Sequence, residues 1–258
     1  MRYETHVLGT ISLLAAFAGT ARAGVDLGTA RDFAVLGAST VTSTGATAIS
    51  GGHVGVSPGS AITGFPPGSV SLPFTIHAND GIAVQAHADL AIAYNTLAGL
   101  PFLPANNLSG QNLGGLTLMP GVYRFNTDAA LTGALALDSQ GDPNAEFIFQ
   151  IGTTLITSSG AAVTSNGGAI YWQVGTSATL ATNTAFQGSI LAHQSITVVS
   201  GSSITNGRAL AVNAAVTLDT NNISAAAIPE PTSLILAGLA VVAFAGRGLR
   251  KRRPNAVS

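Results

Sequence analysis

The sequence predicts a mainly β chain wound as a solenoid of stacked rungs, with one long α-helix lying alongside. Three observations predict it. Short strand-like runs return with a period near 20 residues: Thr179, Thr197 and Thr217 are 18 and 20 apart, and Gly168, Gly188 and Gly207 are 20 and 19 apart. A fixed period with β-type runs marks rungs that stack on one another. Only residues 79–98 show apolar residues at three- and four-residue spacing, the mark of an amphipathic helix. Charged residues are 8% of the chain, against roughly 25% in ordinary globular proteins, yet Val, Ile, Leu and Phe recur in strand-like runs, which argues against disorder.

The N-terminus reads as an export signal. Arg2 opens it, residues 7–18 are apolar, and Ala21-Arg22-Ala23 fits the small-x-small cleavage rule. Cleavage between Ala23 and Gly24 then leaves a mature chain starting at Gly24. The apolar stretch is too short to span a bilayer.

Residues 25–74 follow, with strand-like pieces punctuated by Gly and Pro at turn spacing. The helix comes next. Asn79 or Asp80 can cap it, Ile82, Ala83, Ala86, Leu90, Ala93, Tyr94 and Leu97 form its apolar stripe, and Gly99 and Pro101 end it. Residues 100–115 read as a loop. Residues 116–224 are strand and turn throughout, with turns at Pro120-Gly121 and at 141–144, and half-buried strands at 145–152 and 169–175.

The C-terminus carries a second address. Pro229, Glu230 and Pro231 precede an apolar stretch at 234–245, and Arg247, Arg250, Lys251, Arg252 and Arg253 follow it. Physically this reads as a short membrane-spanning or membrane-seated helix with its basic end held on the cytoplasmic side. The order resembles the PEP-CTERM sorting tail of Gram-negative bacteria. That resemblance implies an exosortase as partner, transient contact with the inner membrane, and a product released or anchored outside the cell. The chain thus divides into a signal at 1–23, a solenoid domain at 24–227 and a sorting tail at 228–258.

Charge and composition exclude several functions. Between residues 24 and 227 there are three Arg, no Lys and nine carboxylates, a net charge of −6, so a nucleic-acid partner, which needs clustered cations, is not expected. With no Cys there is no disulfide or thiolate metal site. His53, His77, His87 and His193 lack ligand spacing, so neither metal nor cofactor is expected. Residues 51–59 are Gly-rich but lack the helix and Lys of a phosphate loop. No Gly-x-Ser-x-Gly elbow occurs. A polysaccharide lyase, the natural enzyme on a β-helix, works with basic residues that are scarce here, so the chain is read as a non-enzyme.

The body of the chain, from 25 to about 224, resembles the large microbial ice-binding family with a discontinuous β-solenoid (the DUF3494 type). The resemblance lies in the opening segment at 26–65 and in "LTLMPGVYRF", "AEFIFQIGTTL", "GAIYWQVGTSATL", "FQGSILA", "NGRALA" and "AVTLDTNNI", in that order. It implies a right-handed β-solenoid of triangular cross-section with one long α-helix packed alongside, in which the chain order of rungs is not their spatial order. It also implies a monomeric, exported protein that adsorbs to ice crystals. Its ice-facing strands often carry Thr-Ala/Gly-x-Thr/Asn, which Thr44-Gly45-Ala46-Thr47 matches. Aligning later rungs on Val163, Phe186, Ile204 and Ile223 adds the runs 159–162, 182–185, 200–203 and 219–222. The ice-contact residues expected on this basis are Thr42, Thr44, Thr47, Ser159, Thr182, Thr184, Ser200, Ser202, Thr220 and Asn222. Two alternatives stay open. The same runs serve equally as solvated solenoid turns, and the sorting tail fits a structural or adhesive biofilm-matrix protein that binds exopolysaccharide.

Overall fold

The computed structural model describes residues 25–225. The expected export signal and the sorting tail lie outside them. The chain winds in rungs of three strands, one for each of three parallel sheets. The N-terminal part supplies β1 (Phe33–Gly37), β2 (Thr40–Thr44) and β3 (Ala48–Ser50), then β4 (His53–Val56), β5 (Ala61–Thr63) and β6 (Ser69–Val70), then β7 (Ile76–Ala78). Helix α1 (Gly81–Ala98) follows. The C-terminal part supplies β8 (Thr117–Leu118), β9 (Gly121–Phe125), β10 (Ala129–Leu131) and β11 (Ala134–Leu137). It continues with β12 (Glu146–Ile151), β13 (Leu155–Thr157), β14 (Ala162–Ser165), β15 (Ala169–Val174), β16 (Ala178–Leu180) and β17 (Ala185–Gln187). The last two rungs are β18 (Ser189–Ala192), β19 (Ile196–Val198) and β20 (Ser203–Thr205), then β21 (Ala209–Ala211), β22 (Val216–Asp219) and β23 (Asn222–Ser224).

Sheet A runs β7-β4-β1-β21-β18-β15-β12-β9, sheet B runs β10-β13-β16-β19-β22-β2-β5, and sheet C runs β6-β3-β23-β20-β17-β14-β11-β8. The rung that comes first in the chain therefore docks on the rung that comes last: Val35 pairs with Ala209, Thr42 with Thr217 and Ile49 with Ile223. This is the discontinuity that the resemblance implied.

The core fills the triangle. Tyr123 stacks on Phe149, Phe149 on Trp172 at 3.9 Å and 8°, and Trp172 tilts against Phe186 of its own rung, so the stack runs across three rungs. Trp172 is fully buried and its Nε1 donates to Gln187 O at 3.0 Å, so the indole leaves no unpaired donor. The glycine period has a steric origin. A Cβ on Gly207 would sit 1.9 Å from the Gly188 carbonyl oxygen, so stacked rungs touch backbone to backbone at this corner.

Apart from its edge strands β7 and β9, sheet A is buried on both faces, because α1 and the segment 25–32 cover its outer side with Leu27, Leu36, Leu90, Leu97, Ile148, Leu191 and Leu210 in one cluster. Asp80 caps α1 by accepting from Ala83 N at 2.9 Å. The expected apolar stripe holds except at Ile82 in the first turn, which is 55% exposed. The segment 25–32 is strapped down by Asp89, which accepts from Thr29 N and Oγ1 at 2.8 and 2.7 Å, and by Glu146, which accepts from Val25 N. Sheets B and C keep their outer faces open to solvent.

Candidate functional site

The outer face of sheet B holds a column of threonines. Thr179 pairs with Thr197, Thr197 with Thr217, Thr217 with Thr42 and Thr42 with Thr63, all parallel and in register. Five adjacent rungs thus set the same side chain at the same point, about 4.7–4.9 Å apart as parallel strands require. Each sits beside inward-pointing apolar neighbours, as in Ala178-Thr179-Leu180, Ile196-Thr197-Val198 and Val216-Thr217-Leu218. That alternation fixes the threonines outward, exposed or half-exposed. Among the described residues none of the five hydroxyls has an intramolecular partner, so all five are free to bond water. Beyond Thr179 the column continues through Ile156, 50% exposed, to Ala130.

Small residues flank this column. Thr154, Ser177, Ser195, Ala215, Thr40 and Ala61 lie one step before the inward residues, and Ser177 Oγ and Ser195 Oγ are 3.0 Å apart. On the other side Asp219 brings the single carboxylate of the sheet B strands, paired with Thr44 across the junction and accepting from Thr220 Oγ1 at 3.1 Å.

The residues expected from the sequence divide at the corner between sheets B and C. Thr42 belongs to the column, and Thr44 ends the same strand, exposed. Ser159, Thr182 and Ser200 lie where the chain leaves sheet B, and Thr220 occupies the corner with φ 51°. Asn222 is exposed, but on sheet C. Thr47, Thr184 and Ser202 overturn the expectation: each is 1% exposed and faces the interior. They belong to a buried polar ladder inside the corner. Thr157 Oγ1 and Thr184 Oγ1 are 2.8 Å apart, Thr184 and Ser202 both donate to Ala181 O at 2.7 Å, Asn221 Nδ2 donates to Val199 O, and Ser43 Oγ donates to Thr47 Oγ1 at 2.8 Å. These groups bind backbone that the turn strips of its sheet partners, which is why the corner repeats Ser, Thr and Asn.

Thr63, Thr179, Thr197 and Thr217 were not among the expected contacts. Their signal was present as the apolar-Thr pair in the sheet B strand of five rungs, Val41-Thr42, Ile62-Thr63, Ala178-Thr179, Ile196-Thr197 and Val216-Thr217.

A second polar cluster lies at the start of α1. His77 Nδ1 is 2.7 Å from Asp80 Oδ2, and His77 Nε2 is 3.2 Å from His53 Nδ1, which also accepts from Thr75 N. Desolvation foremost, with the neighbouring His77, holds His53 below its ordinary value. The spacing of these histidines in sequence did not reveal their pairing, which comes from β4 lying beside β7. Among the described residues no group of three such side chains could hold a metal ion.

Comparison with known proteins fits this geometry. Residues 35–224 match the Ice-binding-like family, and residues 227–253 match the PEP-CTERM protein-sorting motif. An ice-binding protein of Nostoc sp. (strain HG1) is 51% identical, with 86% of each chain covered. Ice-binding protein 1 of Shewanella frigidimarina is 34% identical over 78% of this chain and 26% of its own length. Among solved structures, an ice-binding protein from an Antarctic biological consortium superposes with TM-score 0.72 at 45% identity, covering 78% of this chain and 90% of that one. One from Antarctomyces psychrotrophicus gives 0.73 at 36%, covering 78% and 98%. By the match over its three-sheet body and by these relatives, the chain belongs to the Ice-binding-like family.

Proposed function

We propose that the protein is an exported ice-binding protein that adsorbs to ice through the outer face of sheet B. The observation that carries this reading is the five-threonine column Thr179–Thr197–Thr217–Thr42–Thr63 with its free hydroxyls. Ice presents a repeating lattice of oxygens. Threonine methyls hold water in cages while hydroxyls anchor it, so a rigid ladder of both orders water in an ice-like layer. Covalent chemistry plays no part. Sheet C is a poorer partner because its outer columns mix Ala48, Asn222, Ser203, Ala185 and Ala162 with Gln187 and Thr205, so no one hydroxyl side chain repeats over five rungs.

The sorting tail supports delivery. An exosortase acts at Pro229-Glu230-Pro231 while the tail is in the inner membrane, after a signal peptidase has cut between Ala23 and Gly24. The product acts as a monomer, outside the cell or on its envelope. Among the described residues no helix is long and apolar enough to cross a membrane.

Thermal hysteresis and ice-recrystallisation inhibition test the reading. Thr217→Tyr and Thr42→Tyr, each a bulky ring at the centre of the column, are expected to abolish most of both while circular dichroism stays unchanged. Wild-type activity in both variants would remove sheet B as the ice face.

A further inference from the structure

We propose that the flank of α1 facing the corner between sheets A and B is a second binding site, for a linear glycan bearing carboxylates. Two clefts lie along this flank. The first, of about 740 Å³, lies beside Val84, His87 and Ala88 of the helix and reaches Ser57 and Asn213. The second, of about 450 Å³, lies beside Tyr94 and Ala98 and reaches Arg124, Gln173 and His193. Both fall in the size range of small-molecule sites. They are tied to each other, since Asn213 Nδ2 donates to His193 O at 2.9 Å. From Val84 to Ala98 the helix advances ~21 Å at its usual rise, room for several sugar rings in line.

The charge pattern selects the ligand. The domain carries nine carboxylates against three Arg, yet no Asp or Glu lines either cleft. Of the three Arg, Arg31 lies 3.8 Å from Asp32 and Arg208 is 6% exposed. Arg124 is half-exposed in the second cleft, and among the described residues its side chain has no ion-pair or hydrogen-bond partner. Its neighbours in register on sheet A are Gln150 and then Gln173, both buried and neutral. Gln150 Nε2 donates to Leu97 O and Leu100 O at 2.8 Å, which covers carbonyls at the negative end of α1 beside the guanidinium. A planar, five-donor cation in an acid-free groove suits a carboxylate. Along the remaining length Ser57 Oγ is spent on Asn79 Oδ1 and His87 Nε2 on Val212 O, which leaves the exposed Asn213 amide and the half-exposed His193 ring to meet sugar hydroxyls. An ice surface, which is neutral and flat, fits neither feature. The groove borders sheet B without covering its threonines, so both ligands can be held at once.

Isothermal titration calorimetry with the purified protein tests this, using hexagalacturonate, monomeric galacturonate, sodium acetate and neutral cellohexaose as probes. Hexagalacturonate is expected to bind. The monomer, acetate and cellohexaose are each expected to bind at least about tenfold more weakly, and Arg124→Gln to weaken the hexamer by about tenfold or more. Arg124→Gln should keep wild-type thermal hysteresis, which reports an intact fold and an independent ice face. Absence of hexagalacturonate binding, equal binding of cellohexaose, a hexamer affinity unchanged by Arg124→Gln, or monomer or acetate binding as tight as the hexamer each overturns the proposal. None of these results bears on ice adsorption through sheet B, which fails if the sheet B variants stay active.

Discussion

Thr184 separates the two roles that Ser and Thr play in these rungs. Its hydroxyl donates to Ala181 O at 2.7 Å and lies 2.8 Å from Thr157 Oγ1, inside the corner and 1% exposed. With its proton committed to Ala181, Thr184 is the acceptor for the Thr157 hydroxyl. Thr184→Val keeps the shape and removes that acceptor. Ala181 O keeps the Ser202 hydroxyl, and Thr157 Oγ1 still accepts from Ala181 N at 2.9 Å. What is left unpaired is one buried hydroxyl proton, a cost of ~1–3 kcal/mol. For a body of this size each kcal/mol lowers Tm by ~2–4 °C, so Thr184→Val should melt about 2–12 °C below wild type by circular dichroism. Its thermal hysteresis in the cold should match wild type, because the lost hydroxyl never reaches the surface. Thr217→Tyr should do the opposite, keeping Tm and losing hysteresis. A Thr184→Val protein that melts normally but no longer shapes ice would refute the assignment of the corner to structure and of sheet B to ice.

Three further perturbations probe the same scheme. Asp219→Thr removes the carboxylate bordering the threonine column and is expected to raise thermal hysteresis, since a charge orders water in its own geometry; an unchanged or lower value counts against a flat uncharged face. Trp172→Ala empties the centre of the aromatic stack and should cost about 3–5 kcal/mol in a urea titration, and a loss of about 0.5 kcal/mol or less, the range of a neutral surface change, would mean that the stack adds little. Asp89 is held below its ordinary 3.8 first by the Thr29 hydroxyl, then by the Thr29 amide, with Gln85 adding to both against desolvation. A depressed carboxylate stabilises the fold above its ordinary value and loses that contribution as pH falls through the lower folded value. Hydrogen-exchange protection of the strap at 25–32 should therefore weaken below about pH 4, and Asp89→Asn should remove the pH step; a step that persists in Asp89→Asn assigns it elsewhere.

Much of the architecture was legible before any coordinates. A strand tolerates only alternation, and a stacked rung must bring its glycines and apolar residues back in phase, so the period near 20 and the positions of Gly168, Gly188 and Gly207 were readable as a solenoid. The helix was readable to within two residues at its start, because Asp80 and Gly99 bound it chemically. The sorting tail was readable because its order of Pro-Glu-Pro, apolar stretch and basic end lies along the chain alone.

Two features were decided in three dimensions. The direction of a side chain at a corner depends on where the backbone turns, and a positive φ at Asn183, Gly201 or Thr220 swings the next residue inward. Thr184, Ser202 and Asn221 follow those positions and are buried, although their composition matches that of a water-facing turn. The threonine column likewise crosses a junction that sequence distance conceals. Thr179, Thr197 and Thr217 recur visibly, but Thr42 and Thr63 join them only because the first rung seats against the last. Local sequence determines which face of a strand a threonine takes. Which strand lies beside it is a matter of long-range packing, and in this fold that packing turns three threonines into five.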